Sequence, residues 1–224
     1  VGTDGGLSYF DAKTERFHTY NQQDTWLVDE NGHKQKIFGY SVKAIVEDKS
    51  GDLLIGTWSS GLMRFKRKTH TMYRYPKLNA TNSAYSLFFD KHHRLWVGTW
   101  GYGVVRLDNP GNVKQPGAHQ YPYSANHFDT FYKIVHDPVT RTLWACTREG
   151  VCYLEEDIPN AEWKEYSSIG NNPLNFNNDI ATDGQGNIWL CTQNNGILQV
   201  NTQPSMFKLW NLDKSHTQLT INYI

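Results

Sequence analysis

The side chains in this sequence best grouped to do chemistry stand in five short loops, each just after a threonine. Asp4 follows Thr3, Trp58 and Ser59 follow Thr57, Trp100 and Tyr102 follow Thr99, Arg148 and Glu149 follow Thr147, and Gln193, Asn194 and Asn195 follow Thr192. Aromatic faces stack on the apolar faces of sugar rings, while arginine, asparagine and carboxylate groups hydrogen-bond hydroxyls, and arginine also pairs a uronate carboxylate. A fold that gathers these loops would make Asp4, Trp58, Trp100, Tyr102, Arg148 and Asn194 contacts for an oligosaccharide. The competing reading makes Trp58 and Trp100 wedges between neighbouring sheets, since large aromatics are usually well buried. Arg148 and Asn194 are harder to explain as core.

Catalysis finds less support. Asp4 and Glu149 are the acids these loops offer, a thin basis for the paired carboxylates of a lyase or glycosidase. There is no Gly-rich phosphate loop, nucleophile elbow or His-Glu-x-x-His run. His92 and His93 are adjacent in a predicted hairpin turn, where they diverge, so they read as solvated turn residues rather than metal ligands. His127 and Asp129 lack an identifiable third ligand. Cys146 and Cys152 flank a short hairpin, and buried thiols are favoured over a cross-strand disulfide, which would need unusual strand geometry. No catalytic residue, metal or cofactor is expected.

Composition sets the frame for these residues. The 224-residue chain has 22 basic and 22 acidic side chains, so its balance implies neither a nucleic-acid partner nor a charged membrane surface. Aromatics make up 14% of it, with 8 Trp and 13 Tyr, which suits strands better than helices. No apolar run reaches the roughly 20 residues of a membrane-spanning helix. The 3 cysteines cannot all pair internally, which excludes a disulfide scaffold. No signal peptide is present, and a start at "VGTDGG" suggests a chain without its original N-terminus.

The loops are positioned by a repeat. The threonines are 54, 42, 48 and 45 residues apart, and around them one pattern returns as "LLIGTWSSGL", "LWVGTWGYGV", "LWACTREGV" and "IWLCTQNNGI", with "VGTDGGL" as the tail of a fifth copy. Each copy reads as four short strands. An alternating run such as "VKAIVED" or "FYKIVHD" ends at Asp48, Asp90, Asp137 or Asp183, where Asp and Gly favour a tight turn. The second strand carries Trp96, Trp144, Trp189 or Leu54 three residues before its Thr. A third strand follows a glycine ("GLMRF", "GVVRL"), and a fourth carries spaced aromatics such as Trp163 with Tyr166. The small residue before each Thr (Gly56, Gly98, Cys146, Cys191) fits a place where neighbouring backbones approach closely.

Four antiparallel strands every 40–50 residues predict an all-β fold, a β-propeller whose twisted blades bury their faces by stacking. The expected blades are 42–75, 84–121, 131–166 and 178–210, with a partial blade at 1–20 and the start of another at 217–224. The excess length at 21–41 and 109–130 reads as insertions that emerge on the same face as the loops after each Thr. A fourth strand is embedded in the second insertion near Tyr121.

"VEDKSGDLLIGTWSSGLMRF", "FDKHHRLWVGTWGYGVVRL" and "TDGQGNIWLCTQNNGILQV" resemble the two-component regulator propeller repeat: an Asp-x-x-Gly turn, an apolar-Trp-apolar-Gly-Thr strand and a Gly-Leu strand. The resemblance covers nearly the whole chain. It departs at "WACTREGV", where Cys replaces Gly and the loop is one residue shorter, and at the turns "DKHHRL" and "DPVTRT", which lack the glycine. It implies the periplasmic sensor region of a hybrid two-component histidine kinase, in which this chain is part of a larger, seven-bladed propeller. A closed five-bladed ring is the other arrangement. The implied partners are an oligosaccharide ligand, further blades, a β-sandwich and a kinase, with a homodimer allowed, no nucleic acid, and membrane contact only through a segment outside this chain. A propeller enzyme acting on carbohydrate and a propeller serving as structural spacer or protein-interaction module are the alternatives.

Overall fold

The computed structural model describes all residues except 21–24, 30, 37–39, 79–81, 122–129, 149, 157, 159–160, 167, 170–171, 175–176, 194, 203–205, 211–217 and 222–224. It divides into two units, Val1–Pro122 and Tyr123–Ile224.

Unit 1 opens with β1 (Gly2–Thr3), β2 (Gly6–Asp11) and β3 (Arg16–Thr19), an antiparallel three-stranded sheet. Next come β4 (Trp26–Val28), β5 (Lys34–Lys36), β6 (Val42–Glu47), β7 (Leu53–Thr57), β8 (Leu62–Lys66) and β9 (Thr71–Arg74). The last four form a meander. β4 adds to its outer edge, parallel to β9, and carries β5 antiparallel on its far side. The 21–41 insertion therefore contributes paired strands to the rim of a blade, where the sequence suggested only loop. Trp26 and Leu27 stand opposite Thr71 and Met72, which caps an otherwise open sheet edge. The unit ends with β10 (Ser86–Phe89), β11 (Leu95–Gly98), β12 (Val104–Leu107) and β13 (Ala118–Tyr121), again an antiparallel meander.

Unit 2 begins with the four-stranded sheet of β14 (Phe131–Asp137), β15 (Thr142–Thr147), β16 (Val151–Glu155) and β17 (Lys164–Tyr166). A small pair, β18 (Ser168–Ile169) and β19 (Asn172–Pro173), precedes β20 (Asn177–Thr182), β21 (Asn187–Thr192), β22 (Ile197–Asn201), β23 (Met206–Trp210) and β24 (Gln218–Ile221). Of residues 217–224, read from sequence as the opening of another blade, the described ones form β24. β24 returns antiparallel along β23, with Leu219 opposite Leu209, as a fifth strand at the outer edge. Consecutive strands with a short connection pair in this way far more readily than they cross to a new sheet.

The near-continuous apolar runs of the second and third strands follow from burial on both faces. Leu54 and Leu62 face one neighbour, in a cluster with Tyr75, just after β9, and Leu95, Val97 and Val105 of β11 and β12. Ile55 and Met63, one residue further along, face the other neighbour, in a cluster with Leu7, Tyr40 and Met72. A strand sandwiched between two sheets cannot alternate apolar with polar, because both of its faces leave water. In unit 2 the sheets starting at β14 and β20 pack likewise through Trp144, Cys146, Ile180, Ile188 and Leu190.

The turn aspartates are structural. Asp48 Oδ1 accepts from the backbone N–H of Ser50 (2.8 Å) and Asp52 (3.1 Å), and Asp90 Oδ1 from those of His92 and Arg94 (both 2.9 Å). Asp183 Oδ1 accepts from Gln185 and Asn187. The strand Trp completes the arrangement at Asp90, where Trp96 Nε1 donates to Oδ2 at 2.9 Å. Leu54 cannot do this, and Arg64, opposite Leu54 in the register, supplies the donors instead. Its Nη2 reaches Asp48 Oδ2 at 2.5 Å and its Nε reaches Asp52 Oδ2 at 3.1 Å.

Candidate functional site

The threonine that ends each second strand closes the loop after it. Thr57 donates to the Gly61 carbonyl through its backbone N–H (3.1 Å) and its hydroxyl (2.7 Å). Thr99 does the same to Gly103 (3.0 and 2.8 Å), Thr147 to Gly150 (2.9 and 3.0 Å) and Thr192 to Gly196 (3.0 and 2.9 Å). The acceptor glycine has positive φ at positions 61, 103 and 196, a region costly for other residues. The Gly-Thr motif is therefore the clasp of a loop.

What precedes the Thr is set by the next blade. A Cβ built on Gly56 would lie 2.6 Å from the Ala84 carbonyl oxygen, and the Ala84 N–H donates to the Thr57 carbonyl at 3.0 Å. Two backbones cross here with no room for a side chain.

Of the residues singled out from sequence, unit 1 brings Trp58 and Trp100 together. Their ring centroids are 4.7 Å apart at 79°, an edge-to-face contact. Tyr85 completes a trio, 5.8 Å from each ring. Trp58 is 39% exposed and Trp100 is half-buried. Tyr102 is exposed in the same loop as Trp100 but makes no ring contact with the trio.

Asp4 is tied to Trp58 through Ser41. The Ser41 hydroxyl donates to Asp4 Oδ1 (2.6 Å), Lys43 Nζ donates to the same oxygen (3.2 Å), and the Trp58 N–H donates to the Ser41 carbonyl (2.9 Å). The bond from Ser41, then the bond and charge of Lys43, hold the exposed Asp4 carboxyl below its ordinary range. A general acid needs the opposite shift.

In unit 2, Arg148 is exposed in the loop closed by Thr147. Asn194 and Glu149 lie outside the described residues, as do His127 and Asp129. Among the described residues no group of three His, Cys, Asp or Glu is placed to hold a metal. His92 is exposed, and His93 stacks on Phe89 with centroids 4.4 Å apart. Cys146 stands opposite Val151 and Cys152 opposite Ala145, so the two thiols project to opposite faces of the sheet; both are buried and neither is in a disulfide. Burial pushes the Cys146 thiol up to about 12, which leaves it unreactive.

The sequence reading missed Ser41, Lys43 and Tyr85. Lys43 stands at a β-bulge. β6 skips Lys43 where Val42 faces Thr57 and Ala44 faces Gly56, while β14 skips Tyr132 and β20 skips Asn178 at the same place. Tyr85 precedes Ser86, which faces Gly98, and so holds the equivalent position. A bulge beside the small residue re-aims the extra side chain toward the clasped loops. Its signal in sequence is the residue immediately before the position opposite that small residue in the hairpin, once the register is known.

Antiparallel four-stranded meanders, stacked face to face through apolar strands and repeated along the chain, define the blades of a β-propeller. Residues 79–101 match the family model described as the two component regulator propeller. The chain thus carries that repeat across the Asp90 turn and the Gly98-Thr99 step. No curated protein matches the chain. Among solved structures it is similar to the extracellular domains of two proteins described as hybrid two component systems from B. thetaiotaomicron. One has a TM-score of 0.66 and 19% identity over 88% of this chain, the other 0.65 and 14% over 100%. The WD40 β-propeller domain of Doa1 gives 0.62 and 12% identity, with 100% of this chain and 78% of that one aligned. The chain spans about a quarter of the two bacterial domains (25% and 26%).

Proposed function

We propose that this chain is the ligand-sensing propeller of an extracytoplasmic two-component sensor, with a glycan as its ligand and a histidine kinase as its output. The regulator-propeller repeat at 79–101 and the shared fold with extracellular domains of hybrid two component systems support the signalling context. The observation that carries the binding role is the partly exposed Trp58–Tyr85–Trp100 trio, two of whose rings stand on clasped loops. Such a surface has little structural purpose and suits the apolar face of a sugar ring. Asp4 and Tyr102 extend it in unit 1. Arg148, exposed on the loop closed by Thr147, is the described candidate contact of unit 2, and Asn194 is a further candidate read from sequence. In this reading the loops serve recognition without turnover.

The test is calorimetric titration of the full chain with plant and host polysaccharide oligosaccharides. The expected result is saturable binding without hydrolysis, weakened about tenfold or more by Trp100→Ala, the loss expected for an aromatic contact of about 1.4 kcal/mol. Arg148→Ala is expected to weaken binding of an acidic saccharide. Binding that survives both substitutions would place recognition elsewhere, and turnover of the oligosaccharide would make the protein an enzyme.

A further inference from the structure

The sequence reading put the whole 109–130 insertion on the face of the Gly-Thr loops. In the structure residues 109–117 join β12 to β13, the third and fourth strands of their blade. Successive connections of an antiparallel meander alternate between its ends, so this segment opens on the opposite face. There it walls a cleft of about 700 Å³, whose other side is formed by the β6–β7 turn, β8 and β9.

The wall is fixed from within and from the neighbouring blade. The Asn109 N–H donates to the Pro116 carbonyl (2.8 Å), the Asn112 N–H to the Asn109 carbonyl (3.0 Å) and the Gln115 N–H to Asn112 Oδ1 (3.1 Å). The Pro110 carbonyl accepts from Arg64 Nη1 at 3.4 Å and from the Tyr75 hydroxyl. Arg64 is the buried cation of the cleft, and Asp48 and Asp52 already balance its charge. Lys66 and Lys114 remain. Both are exposed and line the cleft, and neither forms an ion pair among the described residues; Lys66 Nζ sits 5.1 Å over the Tyr73 ring. The side-chain N–H groups of Asn109 and Asn112, also in the lining, donate to no described residue.

We infer that this cleft is a binding site for an acidic saccharide. The ammonium groups of Lys66 and Lys114 take its carboxylate or sulfate, the amides of Asn109 and Asn112 donate to its hydroxyls, and Tyr73 forms an apolar floor. Its size falls in the ordinary range of ligand pockets. It stands apart from the Trp58–Trp100 surface, and the choice of a saccharide rests on the glycan reading above.

The full chain is titrated with tetragalacturonate, a sulfated chondroitin tetrasaccharide, neutral maltotetraose and sodium sulfate. At least one acidic tetrasaccharide binds saturably, and which one does so separates carboxylate from sulfate recognition. Added salt weakens the binding, because exposed charges are screened beyond roughly 10 Å at 0.1 M. The double substitution Lys66→Gln, Lys114→Gln weakens it about tenfold while leaving thermal unfolding unchanged, since both side chains are exposed and unpaired. Trp58→Ala leaves it intact, whereas a loss confined to Trp58→Ala assigns the saccharide to the other face and overturns the inference. It is also overturned if neither acidic saccharide saturates below about 1 mM, if the double variant binds like the parent, or if sodium sulfate alone binds as tightly.

Discussion

Replacing Gly56 by alanine tests the argument that the Gly-Thr step is shaped by the adjoining blade. The added methyl would stand 2.6 Å from the Ala84 carbonyl oxygen, 3.2 Å from its carbon and 3.4 Å from the Ala84 Cβ. The nearest obstacle is backbone, so no rotamer change relieves the clash and the strands must separate. Overpacking of this kind costs about 1–3 kcal/mol. Separation also stretches the bond from the Ala84 N–H to the Thr57 carbonyl, now 3.0 Å, which contributes a further ~1 kcal/mol. The combined loss of about 2–4 kcal/mol lowers the melting temperature by roughly 5–15 °C, at about 2–4 °C per kcal/mol for a chain of this size. Circular dichroism melts of the full chain read this directly. The double variant Gly56→Ala, Ala84→Gly gives the sharper control. If backbone is the obstacle, removing the Ala84 methyl restores nothing. A melt of Gly56→Ala within a degree or so of the parent, or recovery in the double variant, would refute the reasoning.

Two further outcomes follow from the same frame. Thr99→Val removes the hydroxyl bond to Gly103 (2.8 Å) but keeps the backbone bond, so the expected loss is about 1 kcal/mol in urea unfolding, with weaker oligosaccharide binding because Trp100 and Tyr102 lose their anchor. Burial opposes ionisation of Asp90, but hydrogen bonds from Trp96 and Arg94 outweigh it and set its pKa below the ordinary value. Its contribution is therefore complete above about pH 4 and fades as pH drops through the lowered folded-state value. Urea unfolding of the parent should weaken over that acid range, and Asp90→Asn should flatten the dependence; an equal slope in both would show that Asp90 is not responsible.

Much of this molecule is written in short-range pattern. The spacing of Thr57, Thr99, Thr147 and Thr192 marks equivalent strand ends, because each Thr closes a loop that ends only three or four residues later. The aspartates at 48, 90 and 183 mark first turns, because an Asp side chain accepts from N–H groups two and four residues on. Such contacts lie within one hairpin and leave a local signature.

Long-range partners left none. That Arg64 stands in for the missing Trp depends on its position opposite Leu54, across a hairpin whose register the residues do not state. That Tyr85 completes the aromatic trio depends on the register that sets it just before Ser86, opposite Gly98. That 109–117 opens away from the Gly-Thr loops depends on where β13 begins, and the pairing of β4 with β9, and of β24 with β23, on which edges were open. Sequence by itself determined the repeating strands and the chemistry displayed on their loops. Tertiary structure decided which side chains meet and on which face, because register, bulges and edge pairing are settled by the packing of segments far apart in the chain.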